Sequence, residues 1–430
     1  MVWREDEQRV SIEEAVGYIQ NGMRVVIGPG CGEPRALLME LKRQAERFDR
    51  LEVVGGIACD GLPILDPGLE RHFHFITWHV TSGSRKAVAE GRASYLPLRY
   101  SEVVPTLMPG GPLRADVIMC VVSPMDSSGF VSLGPSVSYM KPLMDSVPLI
   151  IAEQNPRVPW TLGESIVERQ LINALVYSEG ALAEYPAPAV SQVERAIARY
   201  VGELIPDGAT LQIGVGSIPE AILDVLPERR DLAAHSIITD HMIPLFERGV
   251  ITARRKNIRP GRCDVGELMG TEKLMRFADR NPLINMMPAT ETHDPRKIAL
   301  LDNFIAINSA LQIDLSGQVN SEGFGERVFA AVGGQPDFVL GSQWSRGGKS
   351  IFALPSASKP GGSRSRIVAR FEPGTPVSTP RHMVEYVVTE YGIAALKGQS
   401  IKKRARALIN IAHPIFREEL EKSLAHPYMA

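Results

Sequence analysis

Short apolar runs, glycine turns and amphipathic segments recur along the chain. Residues 23–27 (MRVVI) lead into a Gly-Pro-Gly-Cys-Gly turn at 28–32, and residues 34–48 then show the apolar spacing of a helix. Three further apolar runs lie at 51–54, 115–122 and 147–152. Near-continuous apolar runs that alternate with helices are typical of parallel strands covered on both faces, so the pattern predicts an α/β fold.

The same order of elements begins again after the proline-containing stretch at 184–188. Ser191 is the predicted N-cap of a helix over 192–204, and a predicted strand follows at 209–213 (ATLQI). A tight loop at 214–217 and a helix over 219–226 complete the cycle. Because the first half has the same order, we predict two similar open α/β domains, residues 1–188 and residues 189–430.

The rest of the second half contains further short apolar runs and one basic amphipathic segment. The segment at 401–408 predicts a helix, which we interpret as a solvated face. The apolar runs predict strands at 305–307, 337–340, 350–355, 365–368 and 386–389.

Composition narrows the classes of protein that the chain can belong to. It has 430 residues, of which 44% are hydrophobic and 22% charged, and its net charge is −2. This composition is globular and indicates neither a nucleic-acid surface nor a membrane surface. The acidic N-terminus lacks a signal-peptide core, and no apolar run approaches the roughly 18 residues that span a bilayer. Four separated cysteines without a C-x-x-C pair favour a reducing compartment, so we expect a cytoplasmic protein.

Glycine-rich loops in the second half are candidate ligand sites. The loop at 214–219 (GVGSIP) follows a strand and opens a helix, where backbone N–H groups can bind a phosphate or an oxyanion. Glycine also serves such turns for steric reasons alone, and the spacing does not match a dinucleotide fingerprint. Further loops lie at 333–338, 347–349 and 355–362. Together the loops indicate an extended phosphorylated ligand without naming it.

Several motifs occur in a fixed order along nearly the whole chain. Residues 122–134 contain S-P-x-D-x-x-G-[FY]-x-S-L-G, and residues 155–163 read N-x-x-[MV]-P-x-x-x-G. The second half continues with G-x-G-x-I-P at 214–219, INSA at 307–310, DLSGQVNS at 314–321 and VTEYG at 388–392. By these motifs the chain resembles the acetyl-CoA hydrolase/CoA-transferase family, which includes 4-hydroxybutyrate, butyrate and succinate:acetate CoA-transferases.

The resemblance implies a fold and a set of binding residues. It implies two open α/β domains of the NagB/RpiA/CoA-transferase type, with the active-site cleft between them and coenzyme A held by the C-terminal half. Gly334, next to Gly333, would offer a backbone N–H to the thioester oxygen, and Lys359 would reach a phosphate of coenzyme A. The coenzyme A pocket would be lined by Gly214, Val215, Gly216, Ser217 and Ile218.

The resemblance also implies the chemistry and the partners. A glutamate of the enzyme attacks an acyl-CoA thioester, and a small carboxylic acid resolves the resulting covalent intermediate. No metal is expected. The family further suggests a homodimer or a homotetramer.

The sequence departs from the family at two positions in the chemistry. The family glutamate usually lies in H-[ST]-E-x-x-S-D-G, whereas residues 235–241 read HSIITDH, a segment that is one residue shorter and contains no glutamate. His293 stands where the family commonly has an asparagine that assists the oxyanion. Asp240 and His293 are therefore the candidate catalytic side chains, with Gly334 as a backbone donor. For Asp240 we favour a structural role in capping or orienting its loop, because the family already has an aspartate there, whereas His293 can equally be a hydrogen-bonded structural residue.

Other polar residues are weaker candidates. Glu322 is superficially similar to the glutamate of more distant CoA-transferases, Glu220 is expected to serve a helix dipole, and His241 is expected to be structural. The alternating histidines at 72, 74 and 79 have a spacing that could suit a metal, although the family needs none.

Three functions remain open at this point. The first is an acyl-CoA:carboxylate CoA-transferase that uses a relocated nucleophile. The second is an acyl-CoA hydrolase in which His293 or Asp240 activates water. The third is a non-catalytic protein that binds a CoA ester. The acyl group and the acceptor acid cannot be deduced from the sequence.

Overall fold

The computed structural model describes residues 9–59, 61–358 and 364–425. None of the helices described there combines the length and the apolar composition needed to cross a membrane. The α-helices are α1 (Ile12–Gly17), α2 (Arg35–Arg43), α3 (Ser82–Ala89), α4 (Val103–Leu107), α5 (Met140–Met144), α6 (Gln192–Leu204), α7 (Ser217–Leu223), α8 (Ile243–Glu247), α9 (Glu272–Ala278), α10 (Ala289–Thr292), α11 (Pro295–Ile298), α12 (Gln335–Trp344), α13 (Ile401–Asn410) and α14 (Pro414–Lys422).

The strands form two large sheets and several short pairings. They are β1 (Arg24–Ile27), β2 (Leu51–Gly55), β3 (Phe73–Thr77), β4 (Ala93–Tyr95), β5 (Val117–Val122), β6 (Phe130–Ser132), β7 (Leu149–Gln154), β8 (Ile166–Glu168), β9 (Ala174–Tyr177), β10 (Thr210–Ile213), β11 (Ala233–Thr239), β12 (Cys263–Met269), β13 (Ile284–Met286), β14 (Phe304–Ser309), β15 (Gln312–Asp314), β16 (Val319–Asn320), β17 (Gly323–Phe324), β18 (Arg327–Val328), β19 (Lys349–Ala353), β20 (Ile367–Val368), β21 (Tyr386–Thr389) and β22 (Gly392–Ala395).

The two large sheets have the same strand order. The first is β4-β3-β2-β1-β5-β7-β9, and the second is β13-β12-β11-β10-β14-β19-β21-β22. In each sheet the first strand of the cycle is central, the next three strands lie on one side of it and the later strands lie on the other. All six pairings in the first sheet are parallel. The predicted α/β class is therefore confirmed, with similar architecture in both halves.

The described residues divide into two compact units. The first comprises residues up to Pro186, Ser236–Asp240 and Cys263–His293, and the second comprises Ala187–His235, His241–Arg262 and the residues from Asp294 onward. Each unit has its own apolar core, and every residue of strand β5, which pairs with the central strand β1, is buried. The sequence boundary at residue 188 stays a prediction.

Local signals located some elements well. Helix α6 begins after Ser191, whose hydroxyl accepts from the backbone N–H of Glu194 while the Glu194 carboxylate accepts from the backbone N–H of Ser191. This reciprocal cap fixes the start of the helix in the sequence itself. Strand β21 also has the predicted limits.

The predicted strand at residues 337–340 is wrong. These residues lie inside helix α12, which starts after Gly334 with Pro336 in its first turn. The helix buries Asp337, Phe338 and Val339 together, so it is enclosed on several sides. An enclosed helix produces a continuous apolar run, and such a run cannot be distinguished from a buried strand by periodicity alone.

Candidate active site

The glycine loop of the second unit has the geometry of a ligand-binding turn. Strand β10 ends at Ile213, and helix α7 begins at Ser217 with Gly216 as its N-cap. Gly216 has φ +126°, a backbone conformation that residues with a Cβ rarely adopt. Among the described residues, a Cβ on Gly214 would meet nothing within 4 Å. The loop therefore leaves its backbone open at the predicted coenzyme A pocket.

Ser217 fixes this loop to the start of helix α6. Its hydroxyl donates to Glu194 Oε1 at 2.5 Å, while the other carboxylate oxygen of Glu194 caps α6. Ile218 is buried beneath the loop, and Val215 is half-buried. Whether these residues bind coenzyme A stays a prediction.

Gly333 and Gly334 lie at the start of helix α12. Gly333 has φ +54°, and Gly334 is the N-cap of the helix. The first N–H groups of a helix have no partner inside it and carry partial positive charge, as an oxyanion donor requires. Lys359, the predicted phosphate ligand, lies outside the described residues. Lys349, in the neighbouring glycine loop, donates instead to the carbonyl oxygen of Leu204 at 2.7 Å.

Both carboxylate oxygens of Asp240 accept hydrogen bonds within the first unit. Its Oδ2 accepts from the backbone N–H of Thr271 at 2.9 Å, and its Oδ1 accepts from the Thr271 hydroxyl at 3.2 Å. Thr271 is the N-cap of helix α9. Both carboxylate oxygens therefore hold the start of a helix, which favours the structural interpretation of Asp240 over its use as a base.

His293 is buried at the end of helix α10. Its Nδ1 lies 2.9 Å from the Thr292 hydroxyl, and its Nε2 lies 3.5 Å from the Ser236 hydroxyl. Ser236 belongs to the HSIITD segment and has φ +74°, which is strained for a residue with a Cβ. The imidazole ring also packs on Tyr100, with 4.3 Å between ring centroids. The structure thus places His293 beside the segment that lacks the family glutamate.

A buried glutamate that the sequence analysis missed lies beside this pair. Glu267, on strand β12, is 2% exposed. Its Oε1 accepts from the Tyr100 hydroxyl at 2.9 Å, and Ser136 Oγ lies 3.2 Å from its Oε2. The Tyr100 hydroxyl also contacts the hydroxyl of Ser138. Tyr100 therefore connects the carboxyl of Glu267 to the ring of His293.

Burial determines the protonation of this cluster. It raises the pKa of Glu267 to about 8, although hydrogen bonds with Tyr100, Ser138 and Ser136 act in the opposite direction. Burial, followed by the negative charge of Glu267, raises the pKa of Tyr100 well above its usual value. At neutral pH the carboxyl is mostly protonated. Because Ser136 can donate its own proton to the carbonyl oxygen of Pro29, at 2.7 Å, the protonated carboxyl can donate to Ser136.

The weaker candidates have other partners. Glu220 is buried and lies 2.9 Å from Nδ1 of His241, so it pairs with a side chain as well as lying in the first turn of α7. Glu322 accepts from the Ser378 hydroxyl at 2.6 Å.

The three alternating histidines do not share a site. His72 contacts the Phe48 carbonyl oxygen, His74 contacts the Ser94 hydroxyl, and the His79 ring lies 5.4 Å from the Tyr100 ring. In the part of the chain that the structure describes, no three His, Cys, Asp or Glu side chains are grouped as metal ligands.

Comparison with known proteins identifies the family of this chain. The acetyl-CoA hydrolase/transferase N-terminal domain matches residues 3–170, and the C-terminal domain of the same name matches residues 270–424. The chain is 41% identical to a 4-hydroxybutyrate coenzyme A transferase of Clostridium kluyveri over 98% of both chains. The chain belongs to the acetyl-CoA hydrolase/transferase family.

Two further members support the assignment. A butyryl-CoA:acetate CoA-transferase of Anaerostipes caccae is 35% identical, over 98% of this chain and 97% of its own length. The crystal structure of RipA from Yersinia pestis superposes with a TM-score of 0.92 at 33% identity, covering 99% of this chain and 98% of RipA. The resemblance seen in the sequence motifs is confirmed, and the family fold extends over the whole chain.

Proposed function

We propose that this protein is an acyl-CoA:carboxylate CoA-transferase that acts on small acyl-CoA thioesters. The observation that carries the proposal is similarity over 98% of the chain to proteins named as CoA-transferases. The open backbone of the Gly214–Ser217 loop and the start of helix α12 support the proposal, because both would offer N–H groups to the ligand. The acyl groups named in these relatives, 4-hydroxybutyryl and butyryl, are the first substrates to test.

The reaction requires an enzyme carboxylate and an oxyanion site. The carboxylate attacks the thioester carbonyl carbon, coenzyme A departs as the thiolate, and an acyl-glutamyl anhydride remains. The thiolate then attacks the glutamyl carbonyl carbon, which releases the first acid and leaves an enzyme thioester. A second carboxylate reverses these steps. Preorganised N–H groups such as that of Gly334 would stabilise each tetrahedral oxyanion, and His293 is a second candidate donor.

A direct assay tests this function. Purified protein is given acetyl-CoA, butyryl-CoA or 4-hydroxybutyryl-CoA with a panel of small carboxylic acids, and the new acyl-CoA is measured by chromatography. Transfer with ping-pong kinetics is the expected result. Binding of coenzyme A without any turnover would contradict the proposal and favour the non-catalytic binder.

Hydrolysis is the second candidate function, and the contact between His293 and Ser236 is what favours it. A hydrolase would release free coenzyme A at the same rate with and without an acceptor acid. His293→Ala would then abolish the release, because the imidazole would be the base that activates water.

Cytoplasmic location and assembly as a homodimer or homotetramer belong to the same proposal. Four buried cysteines are consistent with a reducing compartment. Light scattering on the eluted protein measures the mass of the assembly, for which we expect two or four copies of the 47.1 kDa chain.

A further inference from the structure

Glu267 is a buried carboxyl whose hydrogen-bond partners are neutral hydroxyls. Glu153, another buried glutamate, accepts from the backbone N–H groups of Ala36 and Leu37 at the start of helix α2, so it has a structural task. The carboxyl of Glu267 instead contacts Tyr100, Ser136 and Ser138. Burying a carboxyl without a cation is costly, and such groups concentrate at functional sites.

The position of Glu267 in the sheet is that of a ligand site. It is the fifth of the seven residues of β12, in the carboxyl-terminal half of the strand. The glycine turn that follows β1 packs at this end, since Cys31 Sγ contacts the carbonyl oxygen of Gly270 and a Cβ on Gly30 would meet Met269 Sδ at 2.6 Å. Open α/β sheets bind their ligands beyond the carboxyl ends of the strands.

Two buried nitrogens in the same aromatic cluster have no hydrogen-bond partner among the described residues. They are Nε1 of Trp78 and Nδ1 of His79, at the end of strand β3. The Trp78 ring packs on Tyr139 with 5.1 Å between centroids, and the His79 ring packs on Tyr100 at 5.4 Å. Buried polar atoms are nearly always paired. An acyl group or a carboxylic acid bound beside Tyr100 would supply the missing partners.

We propose that Glu267 is the carboxylate that attacks the acyl-CoA thioester in this protein. The proposal rests on the CoA-transferase function proposed above. A Glu267 oxygen forms a bond to the thioester carbonyl carbon, the carbon–sulfur bond breaks, and coenzyme A leaves as the thiolate. The thiolate then bonds to the glutamyl carbonyl carbon and the acid leaves as a carboxylate, so no proton is consumed.

Glu267 reacts in its ionised form, after its proton has left to solvent. The titratable groups nearest to it are Tyr100, Tyr139 and, across the Tyr100 ring, His79 and His293. In the free protein the carboxyl is buried among its hydroxyl partners. The thioester carbon of a bound acyl-CoA must therefore displace one of these hydroxyls in order to contact the carboxylate. A buried carboxylate that has lost its hydration shell is a better nucleophile than a solvated one.

Borohydride trapping of the wild-type protein tests the assignment without any variant. The protein is incubated with acetyl-CoA or butyryl-CoA and sodium borohydride, which reduces an enzyme thioester to a primary alcohol. Trypsin then releases the peptide between Arg262 and Lys273, which contains Glu267 and Glu272. Fragment masses distinguish the two, and we expect the alcohol at residue 267.

The position of the trapped alcohol separates the possible outcomes. An alcohol at residue 267 supports the proposal. An alcohol at Asp240, Glu220, Glu322 or another carboxylate, in a protein that transfers acyl groups, overturns the proposal for Glu267 and leaves the proposed function intact. If wild-type protein transfers no acyl group to any acid, the proposed function fails, and this inference fails with it.

Two matched variants give a second measurement. Glu267→Gln keeps the size and hydrogen bonding of the protonated carboxyl but cannot attack, so we expect transfer to fall at least about 1,000-fold, as for other lost nucleophiles. Glu153→Gln changes an equally buried glutamate in the same unit and should leave the transfer rate within about threefold of wild type. An unchanged circular dichroism spectrum shows that the Glu267→Gln variant is folded. Full transfer activity of this folded variant would overturn the proposal.

Discussion

At the scale of single residues, the hydroxyl of Tyr100 opposes the effect of burial on the charge of Glu267. Its hydrogen bond stabilises the carboxylate and lowers the pKa of Glu267 against the opposing effect of burial. Tyr100→Phe keeps the ring that packs on His293 and removes only the hydroxyl. We expect the midpoint at which kcat/KM rises with pH to move to higher pH. At pH 7 the rate should fall about tenfold for each unit of that shift, because one pKa unit changes the ionised fraction tenfold. A profile with the wild-type midpoint would show that Glu267 does not govern the rate.

The same carboxyl should make the folded protein less stable as the pH rises. Burial raises the pKa of Glu267 from 4.5 to about 8. Between these values the folded state keeps a proton that the unfolded chain has lost, so the free energy of unfolding falls with pH, by on the order of 1.4 kcal/mol per unit. The contribution is fully present below pH 4.5 and is lost by about pH 8.

Glu267→Gln removes this titration. The urea midpoint of the variant should therefore rise relative to wild type when the pH is raised from 5.5 to 7.5. Equal pH dependence in the two proteins would indicate that Glu267 is ionised in the folded state.

Residue identities alone could not reveal Glu267. Its partners Tyr100 and Ser136 lie 167 and 131 residues away along the chain, so only the tertiary fold brings the three together. The sequence shows a glutamate between Gly266 and Leu268 in a mainly apolar run. Neighbouring residues in the sequence do not indicate which side chains it contacts. Gly214, Val215 and Gly216, by contrast, could be proposed as binding residues from a motif that is contiguous in the sequence.

At the scale of elements, the two glycines of the β10–α7 loop have different tasks. Gly216 has φ +126°, whereas Gly214 has no such constraint, and a Cβ there would meet no described atom within 4 Å. Gly216→Ala should lower the stability by roughly 1–3 kcal/mol through backbone strain. Gly214→Ala should fold normally and weaken coenzyme A binding, because the added methyl group occupies the predicted pocket.

Calorimetry with coenzyme A and thermal unfolding separate these two effects. If both variants bind coenzyme A as wild type does, the loop does not line the pocket.

Elements with local start signals were predictable, and elements defined by their surroundings were not. Helix α6 carries its own cap in Ser191 and Glu194, so its limits follow from the sequence. Helix α12 was mistaken for a strand, because its apolar run reflects burial by neighbouring segments. Its start signals, Gly334 and Pro336, were present but were interpreted as a ligand loop.

At the scale of the whole molecule, the cores enclose every cysteine. Cys31, Cys59, Cys120 and Cys263 are all buried. Burial, with a smaller effect from Glu153, raises the pKa of Cys120 to about 12. Because the thiolate is the reactive form, the native protein should not react with a disulfide reagent, and all four thiols should react after denaturation.

Colour release with Ellman's reagent, with and without guanidinium, measures this difference. Rapid reaction of one thiol in the native protein would show that its burial is transient.

The bent backbone at Ser236 has a consequence for how such an enzyme changes during evolution. Ile237 follows the bend and is the one residue of β11 that is not buried, so core packing does not enclose the side chain at this point of the segment that lacks the family glutamate. Strand β11 neighbours β12, which carries Glu267. If Glu267 is the nucleophile, as proposed above, catalytic duty has passed between adjacent strands without a change of scaffold. Restoring a carboxylate by Ile237→Glu in the Glu267→Gln protein should recover transfer, with the borohydride product at residue 237. A folded but inactive double variant would show that a carboxylate at residue 237 does not reach the substrate.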